Sequence, residues 1–230
     1  TGSGSGTIQL NVVDNDSILN GSSTALGGAG AANGNFTGGE TYTITKTWIF
    51  GDVPNTFWAN SFIERLYNDG ITGGCSAIPL NYCPANSVTR AQMAIFLVRA
   101  MHGVAFVPPT ATGVFTDVPI GSFGADFIEQ LAADGITSGC GGGNFCPNAF
   151  VTRAQMAIFL VRAKHGTSFV PQTATGIFTD VPVGSFGADF IEQLVADSIT
   201  SGCGAGIYCP ATTVKRDSMA VFLVRAFNLP

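Results

Sequence analysis

Charge is scarce in this chain. Asp, Glu, Lys and Arg make up 11% of its 230 residues, against roughly 25% in ordinary soluble domains. A surface so thinly charged repels weakly, which favours burial against neighbours or a lattice. There is no basic tail, and a net charge of −5 with a pI of about 4.8 excludes non-specific attraction to nucleic acid or an anionic membrane. No apolar run reaches the roughly 18 residues of a membrane helix, because Arg99, Arg162 and Arg225 interrupt the most hydrophobic stretches. No transmembrane segment is therefore expected. The repeats described below hold no Ser, His and Asp set and no activated cysteine. "GCGGGNF" lacks the Gly-Lys-Ser/Thr step of a phosphate loop. The expectation is a non-catalytic protein without cofactor or metal. Global disorder is excluded as well, since 46% of residues are hydrophobic and the mean hydropathy is +0.33. The chain opens at Thr1 with neither methionine nor a signal-like region, from which a processed product or a fragment is expected.

What is present is repetition. "VTRAQMAIFLVRA" stands at 88–100, recurs letter for letter at 151–163, and returns as "VKRDSMAVFLVRA" at 214–226. Each copy reads as an amphipathic helix, because Met156, Phe159, Leu160 and Ala163 fall at i, i+3, i+4 and i+7. Thr152 with Gln155, and Thr89 with Gln92, have the spacing of a capping box. Arg90, Arg153 and Arg216 then fall in the first turn, where the helix dipole favours anions and a cation gains nothing. Such an arginine calls for a partner. Two remain open: a structural carboxylate, or a bound anion held jointly with the free N–H groups of the helix start.

Upstream of each arginine helix the order is constant. An acidic turn, "FGDVP" or "FTDVP", carries Asp52, Asp117 and Asp180, read as turn residues able to cap the following helix. First helices are predicted over about 58–68, 123–133 and 186–196. Gly70 and Gly135 then suit a helix C′ position with positive φ, which Ser198 adopts at some cost in the third copy. Six cysteines follow as one pair per repeat: Cys75 with Cys83, Cys140 with Cys146, and Cys203 with Cys209. Repeat symmetry favours these local disulfides over the other pairings. Zinc is disfavoured, since two thiols without a nearby histidine leave a tetrahedral site incomplete. Disulfides imply an oxidising, extracytoplasmic compartment. His102 and His165 follow their helices, where a histidine complements the dipole. The proline-stiffened connectors "AFVPPTATG" and "SFVPQTATG" should pack along the surface.

Residues 1–47 are different. "TIQLNVV" and "TYTITKTW" alternate at strand period around a Gly, Ala, Ser and Asn stretch, and two strands alone are marginal in water. They are read as an incomplete β-sandwich-like element with a linker. "DNDS" at Asp14 to Ser17 suits turn chemistry better than calcium, and Asn15, Asn20 and Asn35 each begin an N-x-S/T triplet. The predicted fold class is mainly α: three helix-loop-helix repeats, at 48–107, 108–170 and 171–230, behind a small N-terminal β element. Packing around a pseudo-threefold axis suits three copies better than an open array.

The order FxDV, first helix, GITxG and VTRAQ resembles the S-layer homology repeat, normally found in threes, over about 48–230. The resemblance implies a spindle-like six-helix module that tethers secreted proteins to the cell envelope, often through acidic, pyruvate-bearing wall polysaccharide held in grooves between repeats. Site candidates carried over from the family are Arg90, Arg153 and Arg216; Asp52, Asp117 and Asp180; Trp58; and the glycine-loop positions Gly73, Gly74, Ser138, Gly139, Ser201 and Gly202. Gln92 and Gln155 replace the family's glutamate, the third copy reads "KRDS", and the cysteine pairs lie outside the common pattern. The third site is expected to be the poorest, since Lys215 removes the cap and Asp217 sets a negative charge beside Arg216. The partners expected are an envelope polysaccharide, bound at an extracellular cell surface, or copies of the chain itself. In that second reading the N-terminal strand completes a neighbour's sheet and builds a lattice or filament.

Overall fold

The computed structural model describes residues 6–9, 11, 13, 17, 19–25, 30, 32–33, 35–39, 41–44 and 48–230. It divides into two compact units, Thr1–Trp48 and Ile49–Pro230. In the first, strand β1 (Gly6–Gln9) pairs antiparallel with β2 (Thr41–Ile44), placing Ile8 opposite Tyr42. Gln9 Nε2 donates to the Gly39 carbonyl at 2.9 Å. Asn20 Oδ1 accepts the N–H groups of Ser22 and Thr24, an Asx turn. None of this unit's described residues is buried. Residues 14–16, with the acidic part of "DNDS" and the triplet at Asn15, lie outside the described residues.

The second unit is mainly helical. Its first helices are α1 (Asn60–Asn68), α3 (Ala125–Ala133) and α5 (Ala188–Ala196); its arginine helices are α2 (Arg90–His102), α4 (Arg153–His165) and α6 (Arg216–Phe227). The short hairpin β3 (Ser76–Ala77) and β4 (Leu80–Asn81) lies in the first disulfide loop. The first helices begin two residues later than the pattern predicts. At α3 and α5 the reason is a left-handed glycine N-cap, Gly124 and Gly187, at φ 76 and 77°. No aspartate side chain caps α1, α3 or α5, so the acidic turns have another use, given below. Gly70, Gly135 and Ser198 take positive φ of 70, 73 and 59°, and the cysteines pair within each repeat.

Thr89 and Thr152 cap α2 and α4 through complete capping boxes, whereas Lys215 offers α6 no side-chain acceptor. Burial on α4 reaches Arg153, Ala154, Ala157 and Val161 as well as Met156, Phe159 and Leu160. That is wider than one face, because α2, α4 and α6 all touch one another at the centre while α3 packs on α2, α5 on α4 and α1 on α6. Main-chain bonds close the centre. Val151 N–H donates to Val88 O at 3.0 Å, Val214 N–H to Val151 O at 2.9 Å, and Val88 N–H to Val214 O at 2.8 Å. The missing cap allows a direct measurement. Thr152→Ala should lower the urea-unfolding free energy by about 1 kcal/mol, while Lys215→Thr should raise it by about 0.5 kcal/mol or more.

Candidate functional site: the inter-repeat grooves

Each arginine at a helix start reaches across to the disulfide loop of another repeat. Arg90 Nε donates to Phe145 O at 2.7 Å, Arg153 Nε to Tyr208 O at 2.8 Å, and Arg216 Nε to Tyr82 O at 2.7 Å. The guanidinium lies over the ring of that same residue at 4.6 to 4.7 Å and over Phe159, Phe222 or Phe96 at 5.4 to 5.5 Å. Cation–π contact of this kind is attractive when desolvated. Two of these loop residues return a bond through the hydroxyl: Tyr82 donates to Arg216 O and Tyr208 to Arg153 O. Burial pushes the Tyr208 phenol up to about 12, opposed by Arg153.

The partner that each Nε uses is a main-chain carbonyl and not a carboxylate. Among the described residues no carboxylate forms an ion pair with Arg90, Arg153 or Arg216. Asp117 instead accepts the N–H groups of Phe145 and Cys146, both at 2.7 Å, and Asp180 and Asp52 treat Tyr208–Cys209 and Tyr82–Cys83 alike. The acidic turns therefore hold the disulfide loops. Their charge still reaches the arginines: burial lowers the Arg90 guanidinium, and Asp117 opposes that shift. The helix-start N–H groups are not free either. Arg153 N and Ala154 N donate to Thr212 O and Pro210 O, and Gln155 N to Thr152 Oγ1; α2 and α6 direct their first two N–H groups in the same way. What stays open is Nη2 of Arg90, Arg153 and Arg216, buried and without a hydrogen-bond partner.

Two grooves hold these arginines. One, of about 220 Å³, brings Arg153 together with Trp58, Ser201, Gly202, Ser218 and Arg225. The other, of about 210 Å³, joins Arg216 to Gly73, Gly74, Gln92, Arg99 and Phe123, and opens into a wider cleft past Thr89 and Phe150. Each groove thus draws on all three repeats, and α6 contributes to both, with Ser218, Phe222 and Arg225 in the groove of Arg153 and Arg216 in the other. Arg90 lies between Phe145 and Phe159 of the second repeat, which also carries Ser138 and Gly139. In these grooves Trp58 and Phe123 are 60 and 69% exposed, and Phe186, their counterpart in the third repeat, is 68% exposed. Thr72, Thr137 and Thr200 shape the glycine turns by accepting from the N–H of Gly74, Gly139 and Gly202.

A second arginine in each repeat escaped the reading of the letters. Arg99, Arg162 and Arg225 donate through Nη1 to the carbonyls of Ile71, Ile136 and Ile199 at 3.0 to 3.2 Å and lie over Phe127, Phe190 and Phe62. Their signal was recurrence at one place in "LVRA". His102 and His165 likewise do more than complement a dipole, since each meets an aspartate of the following repeat, Asp134 or Asp197.

A fold built from helix pairs, with arginines and glycine turns meeting in grooves between them, is a repeat-built helical module. Residues 114–157 match the S-layer homology domain. Over 76% of its length the chain is 27% identical to an endoglucanase of Bacillus sp. (strain KSM-635) and 28% identical to S-layer protein EA1 of Bacillus anthracis, covering 18 and 19% of those proteins. It is 24% identical to cell surface glycoprotein 1 of Acetivibrio thermocellus over 77% of this chain and 8% of that one. The chain therefore spans less than a fifth of each of these relatives.

Proposed function

We propose that 48–230 is a non-catalytic anchor of three S-layer homology repeats that holds a secreted protein to the cell envelope by binding acidic wall polysaccharide in its inter-repeat grooves. The observation that carries this reading is the trio of buried arginines with an unpartnered Nη2, two of them lining grooves that an exposed aromatic flanks. A guanidinium with free donors suits a carboxylate, and an aromatic face suits the apolar face of a sugar ring. The relatives include an S-layer protein and a cell surface glycoprotein, and three disulfides fit an extracellular location. No helix among the described residues is long and apolar enough to cross a membrane. In this reading the enzymatic chemistry of a relative such as the endoglucanase belongs to the part of that protein outside the match.

The arginines also pack the core, so truncation to alanine would confuse folding with binding. Arg153→Met keeps the volume, and a well-packed apolar substitute for a buried charge is often tolerated. Arg153→Met combined with Trp58→Ala is expected to weaken retention on purified pyruvylated wall polysaccharide at least about tenfold, with the helical circular dichroism intact. Retention equal to that of the unaltered chain would overturn the anchor reading.

A second reading, assembly through exchange of β1 between copies, rests on the N-terminal unit. Ile8, Val13, Leu19, Phe36 and Tyr42 are all more than half exposed there, and a two-stranded ribbon offers open edges to another chain. Light scattering of the full chain against 48–230, without polysaccharide, separates the two readings.

A further inference from the structure

The three helix junctions of the ring share a backbone but differ in what fastens them. Between α2 and α3, His102 Nε2 meets Asp134 Oδ2 at 2.8 Å, and its ring stacks on Phe106 with centroids 4.4 Å apart. Between α4 and α5, His165 meets Asp197 at 2.7 Å and stacks on Phe169 at 4.3 Å. The chain itself also joins these two pairs, and carboxylates strap the connectors down. Glu129 accepts the N–H groups of Thr112, Gly113 and Val114, and Glu192 those of Thr175, Gly176 and Ile177.

Among the described residues the junction of α6 with α1 lacks the His–Asp contact. These are the last and first helices of the unit, so no connector joins them. Asn228 stands at the register of His102 and His165, but as the left-handed C-cap of α6. Asp69, the C-cap of α1 and counterpart of Asp134 and Asp197, keeps its Oδ2 buried with no hydrogen-bond partner. A buried acceptor left unmet is destabilising, and at a helix C-terminus a carboxylate also opposes the dipole. The uncapped start of α6 weakens the same side further. Across this junction lies the groove of Trp58, which precedes α1, and of Ser218, Phe222 and Arg225, which belong to α6.

We propose that the ring has a seam between α6 and α1, where it opens first, and that a ligand seated in the groove of Trp58 and Arg153 closes it. The second half rests on the anchor reading; the first stands without it. By linkage, anything that binds only the closed form stabilises that form. The Trp58 groove is therefore both a binding site and the clasp of the ring, whereas the groove of Phe123 lies on a junction already fastened by His102.

Hydrogen exchange of the full chain, read by mass spectrometry, tests both halves. Amides of α1 are expected to exchange about fivefold faster than those of α3 and α5, the equivalent of about one hydrogen bond. Asp69→Asn should slow α1, whereas Asp134→Asn should speed α3, and His165→Asn should bring α5 towards the rate of α1. Exchange of α1 no faster than that of α3 and α5, or Asp69→Asn speeding α1, would overturn the seam. Bound pyruvylated wall polysaccharide should slow α1 and the start of α6 more than α3; equal protection of all three would overturn the coupling. Absence of any binding would instead remove the anchor reading and the coupling with it, leaving the ligand-free rates to decide the seam.

Discussion

Gly139→Ala is expected to lower the unfolding free energy by roughly 3 to 4 kcal/mol, the sum of a forced positive φ and an overpacked contact. Gly139 sits at φ +96°, and a Cβ there would overlap the Asn144 carbonyl oxygen while lying 3.0 Å from Phe115 Cε1. The oxygen cannot retreat, because it accepts the Cys140 N–H at 2.7 Å inside a loop that the Cys140–Cys146 disulfide closes. Gly74 and Gly202 repeat the arrangement against Asn81 and Ile207. Urea unfolding followed by circular dichroism measures the effect. A loss below about 1 kcal/mol would mean that the turn relaxes more freely than its contacts allow.

The second large effect is expected in acid. Partial desolvation tends to raise the carboxyls of Asp180, Glu129 and Glu192, but backbone N–H donors outweigh it and hold all three below their usual range, with Arg153 adding to the effect at Asp180. A depressed folded-state pKa contributes stability above the unfolded value, near 4, and loses it as the pH falls through the folded value. The thermal midpoint should thus be level above about pH 5 and fall progressively below about pH 4. Asp180→Ala removes the acceptor for two backbone N–H groups, Tyr208 and Cys209. It should cost roughly 2 to 3 kcal/mol at neutral pH, allowing for the partial exposure of the site, and should flatten the acid limb. An acid limb as steep as that of the unaltered chain would show that Asp180 titrates alike in the folded and unfolded states.

How much of this was legible in the letters depends on where each partner comes from. Thr152 with Gln155, and Gly135 after α3, bond or turn within a few residues of themselves, and such local devices can be read directly. The mainly α class and the pairing of the cysteines were legible through repetition, and the small β element through alternation at strand period. The partner of Arg153 was not, because it is the main-chain carbonyl of Tyr208, 55 residues away, and a carbonyl has no letter. For the same reason Asp117 read as a helix cap when its acceptor oxygens serve Phe145 and Cys146. The groove of Trp58 and Arg153 joins residues of all three repeats, so no reading of one repeat could assemble it. Arg162 was treated only as an interruption of an apolar run, although its guanidinium is held in place by Ile136 O and the Phe190 ring.

The three valine bonds at the centre set a count as well as a shape. Each of Val88, Val151 and Val214 gives one N–H and one carbonyl to the circuit, so three donors meet three acceptors and none is left over. A fourth copy gained by gene duplication would find no vacancy in that circuit. It would have to displace one of the three or stand outside the circuit.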